Sequence, residues 1–145
     1  MSTKRSLNRY LLFIIMVTGA GCAKEKKRDA ALRMNNEACV LAQAGKYAQA
    51  KKYWQLLITN RQYVTPEVAY VNLSKLAVEE GDFVGAERLL AQAMYLCPNY
   101  VDACFYRALV ACQLHEYEKA RVLLASVQSL APTHTGAREL RARLY

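Results

Sequence analysis

The sequence repeats its own layout with a period of 34 residues, and few folds accommodate a repeat of that length. In residues 67–100 a turn at Gly81-Asp82-Phe83 is matched, in the next segment, by His115-Glu116-Tyr117. Four further pairs recur at the same spacing: Ala86 and Ala120, Leu90 and Leu124, Leu96 and Leu130, and Pro98 and Pro132. Such a period predicts a stack of similar two-helix units, each of which buries an apolar face against its neighbours.

A small residue, an aromatic residue and a closing proline at these offsets resemble the tetratricopeptide repeat, a hairpin of one helix A and one helix B. The resemblance implies an all-α solenoid of about three repeats followed by a capping helix. The first connection between repeats is longer than the second, because Ala50 and Ala86 are 36 residues apart. The expected repeats span about 31–66, 67–100 and 101–134, and the capping helix spans 135–145.

In this register Asp29 is expected to cap the first helix, and Thr65 with Pro66 to begin the second repeat. Helices A are expected at about 30–44, 66–79 and 101–114, and helices B at about 48–59, 84–96 and 118–130. Small residues at two equivalent positions would let the paired helices approach closely, and larger residues would fill the core between them. The small residues are Ala38, Ser74 and Ala108, and Ala50, Ala86 and Ala120; the larger ones are Tyr47, Phe83 and Tyr117, and Trp54, Leu90 and Leu124.

The N-terminus has the composition of an export signal. Lys4, Arg5 and Arg9 precede a short apolar run over residues 11–17, and small residues lead to Cys22. About 20 apolar residues are needed to span a bilayer, so cleavage rather than a permanent spanning helix is expected. The sequence therefore predicts a signal peptide at 1–21, a basic tether at 22–29 and a folded domain at 30–145.

Residues 19–22, Gly-Ala-Gly-Cys, resemble the lipobox of bacterial lipoproteins. The resemblance implies that Cys22 is lipidated and becomes the mature N-terminus. Ala23 at the next position implies sorting to the outer membrane, on its periplasmic face. The alternative is an ordinary secretory signal that happens to precede a cysteine.

The composition argues against nucleic-acid binding and against catalysis. The formal charge of +8 comes from 20 Lys and Arg against 12 Asp and Glu, but the basic residues of the repeats are scattered among acidic ones. The two histidines, His115 and His134, fall at connections between helices, and no Cys or His pair has metal-ligand spacing. We expect no enzyme activity, no cofactor and no metal.

The cysteines are expected to be mostly buried free thiols. Cys104 and Cys112 would lie about 12 Å apart along one helix, too far for a disulfide. Cys97 and Cys104 flank the Pro98 turn, and whether they pair stays open.

The resemblance to tetratricopeptide arrays implies a concave groove lined by the residues of helices A that do not pack. Its apolar centre predicts that a segment of a protein partner docks there, as a helix or an extended peptide. The alternative is that the C-terminal helix or another contact covers these residues. The expected groove residues are Asn36, Val68, Val71, Asn72, Lys75, Val78, Phe105, Tyr106, Leu109 and Cys112.

Some tetratricopeptide domains hold a chaperone's C-terminal carboxylate with a clamp of basic and asparagine side chains. Asn36 and Asn72 match the asparagines of that pattern. Leu32, Asp102 and Tyr106 stand where the pattern requires Lys, Lys and Arg. Binding of chaperone tails is therefore not expected.

The combination of a lipobox and a tetratricopeptide array resembles the type IV pilus biogenesis lipoproteins, often called pilotins. The residues that carry the resemblance are the pair Asn35-Asn36, the turn over residues 45–50 and the long connection before residues 67–73. The resemblance implies a scaffold that helps to assemble or localise an outer-membrane secretin ring, with a secretin subunit or a pilus assembly component as partner. The alternatives are a lipoprotein accessory of another envelope machine, such as a tight-adherence pilus or a secretion system, and an adaptor that regulates a peptidoglycan enzyme.

Overall fold

The computed structural model describes residues 24–144, and this part of the chain consists of seven α-helices joined by short connections. The predicted all-α array is confirmed, and from Tyr47 onward no helix end differs from its predicted position by more than one residue. The helices are α1 over residues 24–43, α2 at Tyr47–Thr59, α3 at Pro66–Glu79, α4 at Phe83–Leu96, α5 at Val101–Gln113, α6 at Tyr117–Leu130 and α7 at Thr135–Leu144.

The helices form hairpins, in which α1, α3, α5 and α7 are the helices A and α2, α4 and α6 are the helices B. From α2 to α7 each helix packs against the next one, and α3 also contacts α5. Each hairpin turn contains one residue in the left-handed region, namely Gly45 (φ 74°), Gly81 (φ 78°) and His115 (φ 61°). A histidine is unusual there, and its Nδ1 lies 2.9 Å from the hydroxyl of Tyr117.

Small residues bring the two helices of each hairpin together, as the sequence predicts. All six predicted small positions are buried, from Ala38 in α1 to Ala120 in α6. Trp54, Leu90 and Leu124 fill the spaces between the helices and are 2% exposed or less. The close backbone approach at the small residues and the large apolar side chains between the helices together give the dense packing that stabilises such a stack.

Two of the three aromatic residues at the hairpin turns, Tyr47 and Tyr117, are not core residues, contrary to the sequence-based expectation. Tyr47 and Tyr117 are exposed over nearly half of their surface, and Phe83 is half-buried. All three residues begin a helix B, at the edge of the hairpin, and Phe83 packs partly against the core of α3, α4 and α5.

The prediction that Asp29 caps the first helix is wrong. Residues 24–30 are already helical and all exposed, and burial in α1 begins at Ala31. Lys, Glu and Arg are good helix formers, so residues 24–28 extend the helix without needing to pack. The predicted signal peptide at 1–21 and the predicted lipidation site Cys22 lie outside the described residues.

An ion-pair network ties α4, α5 and α6 together. The Glu87 carboxylate accepts hydrogen bonds from Arg107 Nη2 and from Lys119 Nζ, both at 2.7 Å, and Lys119 also pairs with Glu116 at 2.8 Å. Burial opposes ionisation of Glu87, but the hydrogen bonds from the two cations outweigh it and lower the pKa of the carboxyl. Burial also opposes the charge of Lys119, yet its hydrogen bonds to Glu116 and Glu87 raise the pKa of the amine.

The outer face of the first helix is exposed, because no earlier helix B is present in the described part of the chain. Arg33 and Glu37 are exposed in α1, whereas the equivalent residues of α3, Ala69 and Leu73, are buried against the preceding helix B. On the same face Val40, the equivalent of the buried Leu76, is also exposed, so this end of the described array presents both charged and apolar side chains.

Candidate binding face

Successive helices A touch each other through side chains on one face of the array. The Asn72 amide of α3 lies 3.9 Å from the Cys39 thiol of α1, and the Lys75 amine of α3 lies 4.4 Å from the centre of the Tyr106 ring of α5. These side chains are half-buried, so each also presents surface to solvent. We name this row of residues the A-helix face; it comprises Asn36, Cys39, Asn72, Lys75, Tyr106 and Leu109.

The A-helix face combines three kinds of recognition chemistry. Asn36 is exposed and Asn72 is half-buried, and their amides can donate to and accept from a peptide backbone. The half-buried Lys75 holds its charge over an aromatic ring, which is a favourable cation–π arrangement. Leu109 adds apolar surface beside Tyr106 on α5.

Val68, Val78 and Cys112 border this row and are half-buried. Val78 packs partly against the core between α3 and α5, so it offers only one side to a ligand. Burial raises the pKa of the Cys112 thiol, which keeps it protonated and weakly polar at neutral pH. These three residues therefore widen the apolar part of the face.

Val71 is a core residue, and its assignment to the exposed groove is wrong. Its side chain is 1% exposed and packs in one cluster with Ala103 and Val110. The position faces the next helix A, so it fills the contact between α3 and α5. In α1 the equivalent residue, Asn35, is 8% exposed, and its Oδ1 accepts a hydrogen bond from Trp54 Nε1 at 3.1 Å.

Phe105 is partly covered by the start of α7, as the sequence-based alternative anticipated. Its ring centre lies 4.5 Å from that of His134 and 5.6 Å from that of Tyr106. A Cβ added at Gly136 would lie 2.9 Å from the Phe105 Cζ, so only glycine allows this approach without a shift. Phe105 thus anchors α7 and contributes only part of its ring to the face.

One end of the face, at the starts of α3 and α5, is acidic. At the start of α5 the Tyr100 hydroxyl lies 3.5 Å from the Asp102 carboxylate. Burial, followed by the charges of Asp102 and Glu67, raises the pKa of Tyr100 to about 12. The sequence indicates this negative charge through Glu67 and Asp102, in the first turns of α3 and α5.

The described cysteines, Cys39, Cys97, Cys104 and Cys112, are free thiols, and Cys104 is buried. In residues 24–144 no three His, Cys, Asp or Glu side chains are grouped so as to hold a metal ion. None of the helices that the structure describes has the length and apolar character to cross a membrane.

A family model described as tetratricopeptide repeat matches residues 77–144. A search of curated proteins finds no match. Among solved structures, the first TPR of Spaghetti (RPAP3) bound to the HSP90 peptide SRMEEVD superposes with a TM-score of 0.73 at 20% identity, over 81% of this chain and 91% of that one.

Two bacterial structures are also similar. PcrH from Pseudomonas aeruginosa has a TM-score of 0.67 at 21% identity, with 81% of this chain and 87% of that one covered. The Yersinia enterocolitica type III secretion chaperone SycD, in complex with a peptide of the translocator YopD, has a TM-score of 0.67 at 21% identity, with 80% and 87% covered. At these identities the likenesses show the fold.

Proposed function

The chain has the tetratricopeptide-repeat fold, and from this premise we propose that it is a non-enzymatic scaffold whose A-helix face binds a segment of a protein partner. The observation that carries the proposal is the row of half-buried amide, ammonium and aromatic groups that runs across α1, α3 and α5. A row of this kind can hold a peptide backbone through the amides and its side chains through the apolar surface.

The chemistry of the face favours a segment without an acidic C-terminus. Lys75 is the cation at the centre of the face, and its amine is already placed over the Tyr106 ring. Asp102 and Glu67 make the end of the face at the start of α5 negative. The tetratricopeptide domain of Spaghetti is bound to a peptide that ends in acidic residues; the sequence at Leu32, Asp102 and Tyr106 is unsuited to such a ligand.

We further propose that the scaffold is anchored in the outer membrane through a lipidated Cys22 and faces the periplasm. The support is the resemblance of residues 19–22 to a lipobox after a short apolar run. A tethered binding face suits the assembly of an envelope machine, and the pilotin resemblance favours the secretin of a type IV pilus, or one of its assembly proteins, as partner. The alternatives are another pilus or secretion system and a peptidoglycan enzyme.

The test is affinity isolation of the tagged full-length protein from solubilised membranes of its own host, followed by mass spectrometry. Wild-type protein is expected to retain a secretin or a pilus assembly protein. The Leu109→Glu variant should lose it, because a charge then enters the apolar part of the A-helix face. The matched control is Gln92→Glu, an exposed position of helix B α4 that lies away from the face.

Three outcomes of this experiment distinguish the proposed partner from the alternatives and test the binding site. Loss of a secretin or pilus protein in Leu109→Glu alone supports the leading proposal. Loss of a different envelope protein from Leu109→Glu, with normal recovery from Gln92→Glu, supports one of the alternatives. Equal recovery from all three forms would remove the A-helix face as the binding site.

A further inference from the structure

The first described turns of α1 project beyond the rest of the array. Residue 30 is equivalent to Pro66, the first residue of α3, so residues 24–29 have no counterpart in the next repeat. With a rise of 1.5 Å per residue, the exposed helical segment 24–30 is about 10 Å long. We name this segment the stalk.

The stalk projects from a defined edge of the array. Connections 60–65, 97–100 and 131–134 join the end of each helix B to the start of the next helix A, and we name this side the link edge. Ala31 in α1 shares a core cluster with Leu57 and Tyr63, which lie at the end of α2 and in the first connection. The stalk therefore leaves the array at the link edge.

The chemistry of the stalk suits an anionic lipid surface, whereas the link edge itself carries the acidic residues Glu67 and Asp102. Lys24, Lys26, Lys27 and Arg28 are exposed on the stalk and outnumber its two acidic residues. Exposed apolar side chains also lie on the link edge, namely Val64, Tyr95, Leu96 and Leu130. Apolar side chains are exposed at the opposite edge too, and α7 ends there with Arg141 and Arg143; the link edge differs in carrying the stalk, which follows Cys22 in the chain. An aromatic or apolar residue next to a basic segment is a common membrane-contact pattern.

We propose that the stalk holds the link edge of the array towards an anionic bilayer, with the helix axes close to the membrane normal. This inference rests on the proposed lipid anchor, because Cys22 is two residues from Lys24 and a chain segment of that length spans about 7 Å at most. The four basic side chains then lie near the anionic headgroups, within about one or two screening lengths of the surface. Each basic side chain that reaches the surface raises the membrane association constant about fivefold.

The proposed orientation determines where the A-helix face opens. The A-helix face runs across α1, α3 and α5, whose axes would stand upright on the membrane, so the face opens sideways, parallel to the bilayer. A partner segment that rises from the same membrane can enter it without crossing the array. The opposite edge, at the hairpin turns, points into the aqueous compartment.

The experiment compares two tryptophan reporters on the same helix. Tyr95→Trp places one at the link edge, and Val84→Trp places one about 16 Å away at the opposite end of α4. The native Trp54 is buried and contributes the same background to both variants. Full-length lipidated protein is reconstituted in phosphatidylcholine vesicles with or without phosphatidylglycerol, and energy transfer to a dansyl-labelled lipid headgroup is measured.

Transfer from the Tyr95→Trp variant is expected to exceed transfer from the Val84→Trp variant severalfold in the anionic vesicles. Adding Arg28→Pro should reduce the difference, because proline interrupts the stalk, whereas adding Arg28→Ala should keep most of it. Equal transfer from the two reporters, or more transfer from the Val84→Trp variant, would overturn the orientation. A difference that is unchanged by Arg28→Pro would overturn the role of the stalk.

A separate readout distinguishes failure of this inference from failure of the lipid anchor. The mass of the mature N-terminal peptide shows whether Cys22 carries acyl chains, and flotation shows whether the protein stays with vesicles. An unmodified Cys22 and no flotation would remove both the anchor and the orientation. A floating, acylated protein with equal transfer from both reporters removes the orientation alone.

Discussion

Replacement of Val71 by glutamate is expected to destabilise the fold of the array rather than to disturb its binding surface. Val71 is 1% exposed between α3 and α5. Loss of its buried apolar surface removes about 1.5–3 kcal/mol of stabilisation. A carboxyl group buried without a hydrogen-bond partner costs about 1–3 kcal/mol more. The total of roughly 2.5–6 kcal/mol is a large share of the 5–15 kcal/mol that stabilises a typical domain.

Thermal denaturation followed by far-ultraviolet circular dichroism checks this prediction. The melting temperature of Val71→Glu should fall by at least about 10 °C, or the variant should not fold at all. Leu109→Glu, on the half-buried face, should melt within a few degrees of wild type and serves as the matched control. A Val71→Glu protein that melts like wild type and loses only its partner would show that Val71 is a groove residue after all.

Three further predictions concern stability. Glu87→Gln should lower the urea midpoint of unfolding at pH 7. Because folding lowers the pKa of Glu87, its ionised carboxylate stabilises the folded state above the ordinary pKa of 4.5, and this stabilisation is lost as the pH falls below that value. The difference in urea midpoint between wild type and Glu87→Gln should therefore become smaller in acid. A difference that does not change with pH would refute the pairing of Glu87 with Arg107 and Lys119. Trp54→Phe should cost about 1–3 kcal/mol in urea denaturation, since it leaves the buried Asn35 oxygen without its donor; a cost below about 0.5 kcal/mol would argue against that hydrogen bond. Gly81→Ala should destabilise by about 1 kcal/mol because of its positive φ, whereas Ala at position 115, where His already adopts that conformation, should change the midpoint less.

The helices could be predicted from the sequence because local signals and the repeat agree. Pro66 begins α3, and the Asp82 carboxylate accepts a hydrogen bond from the Gly85 amide at 2.8 Å to begin α4. The small residues at equivalent positions fixed the spacing of each hairpin. The predicted cap at Asp29 is wrong because a capping residue is only a local signal. The good helix formers before it extend α1 towards the N-terminus.

The binding face was harder to predict because it depends on the contact between successive helices A. The position of Val71 looks like a groove position within one repeat, but α5 covers it. Phe105 is partly covered in turn by α7, where Gly136 permits a close approach that no spacing rule reveals. The sequence predicts that Lys75 lies in the groove. Its position over the Tyr106 ring depends on how α3 and α5 are rotated relative to each other, which the sequence pattern does not specify.

The central claim is that the A-helix face binds a protein segment. Site-specific photo-crosslinking in living cells tests it most directly, with a photoreactive phenylalanine analogue placed at Leu109 on the face or at Gln92 on α4. The account predicts a discrete crosslinked product from position 109 that contains an envelope-assembly protein, and none from position 92. Crosslinks to the same protein from position 92, with none from position 109, would contradict it.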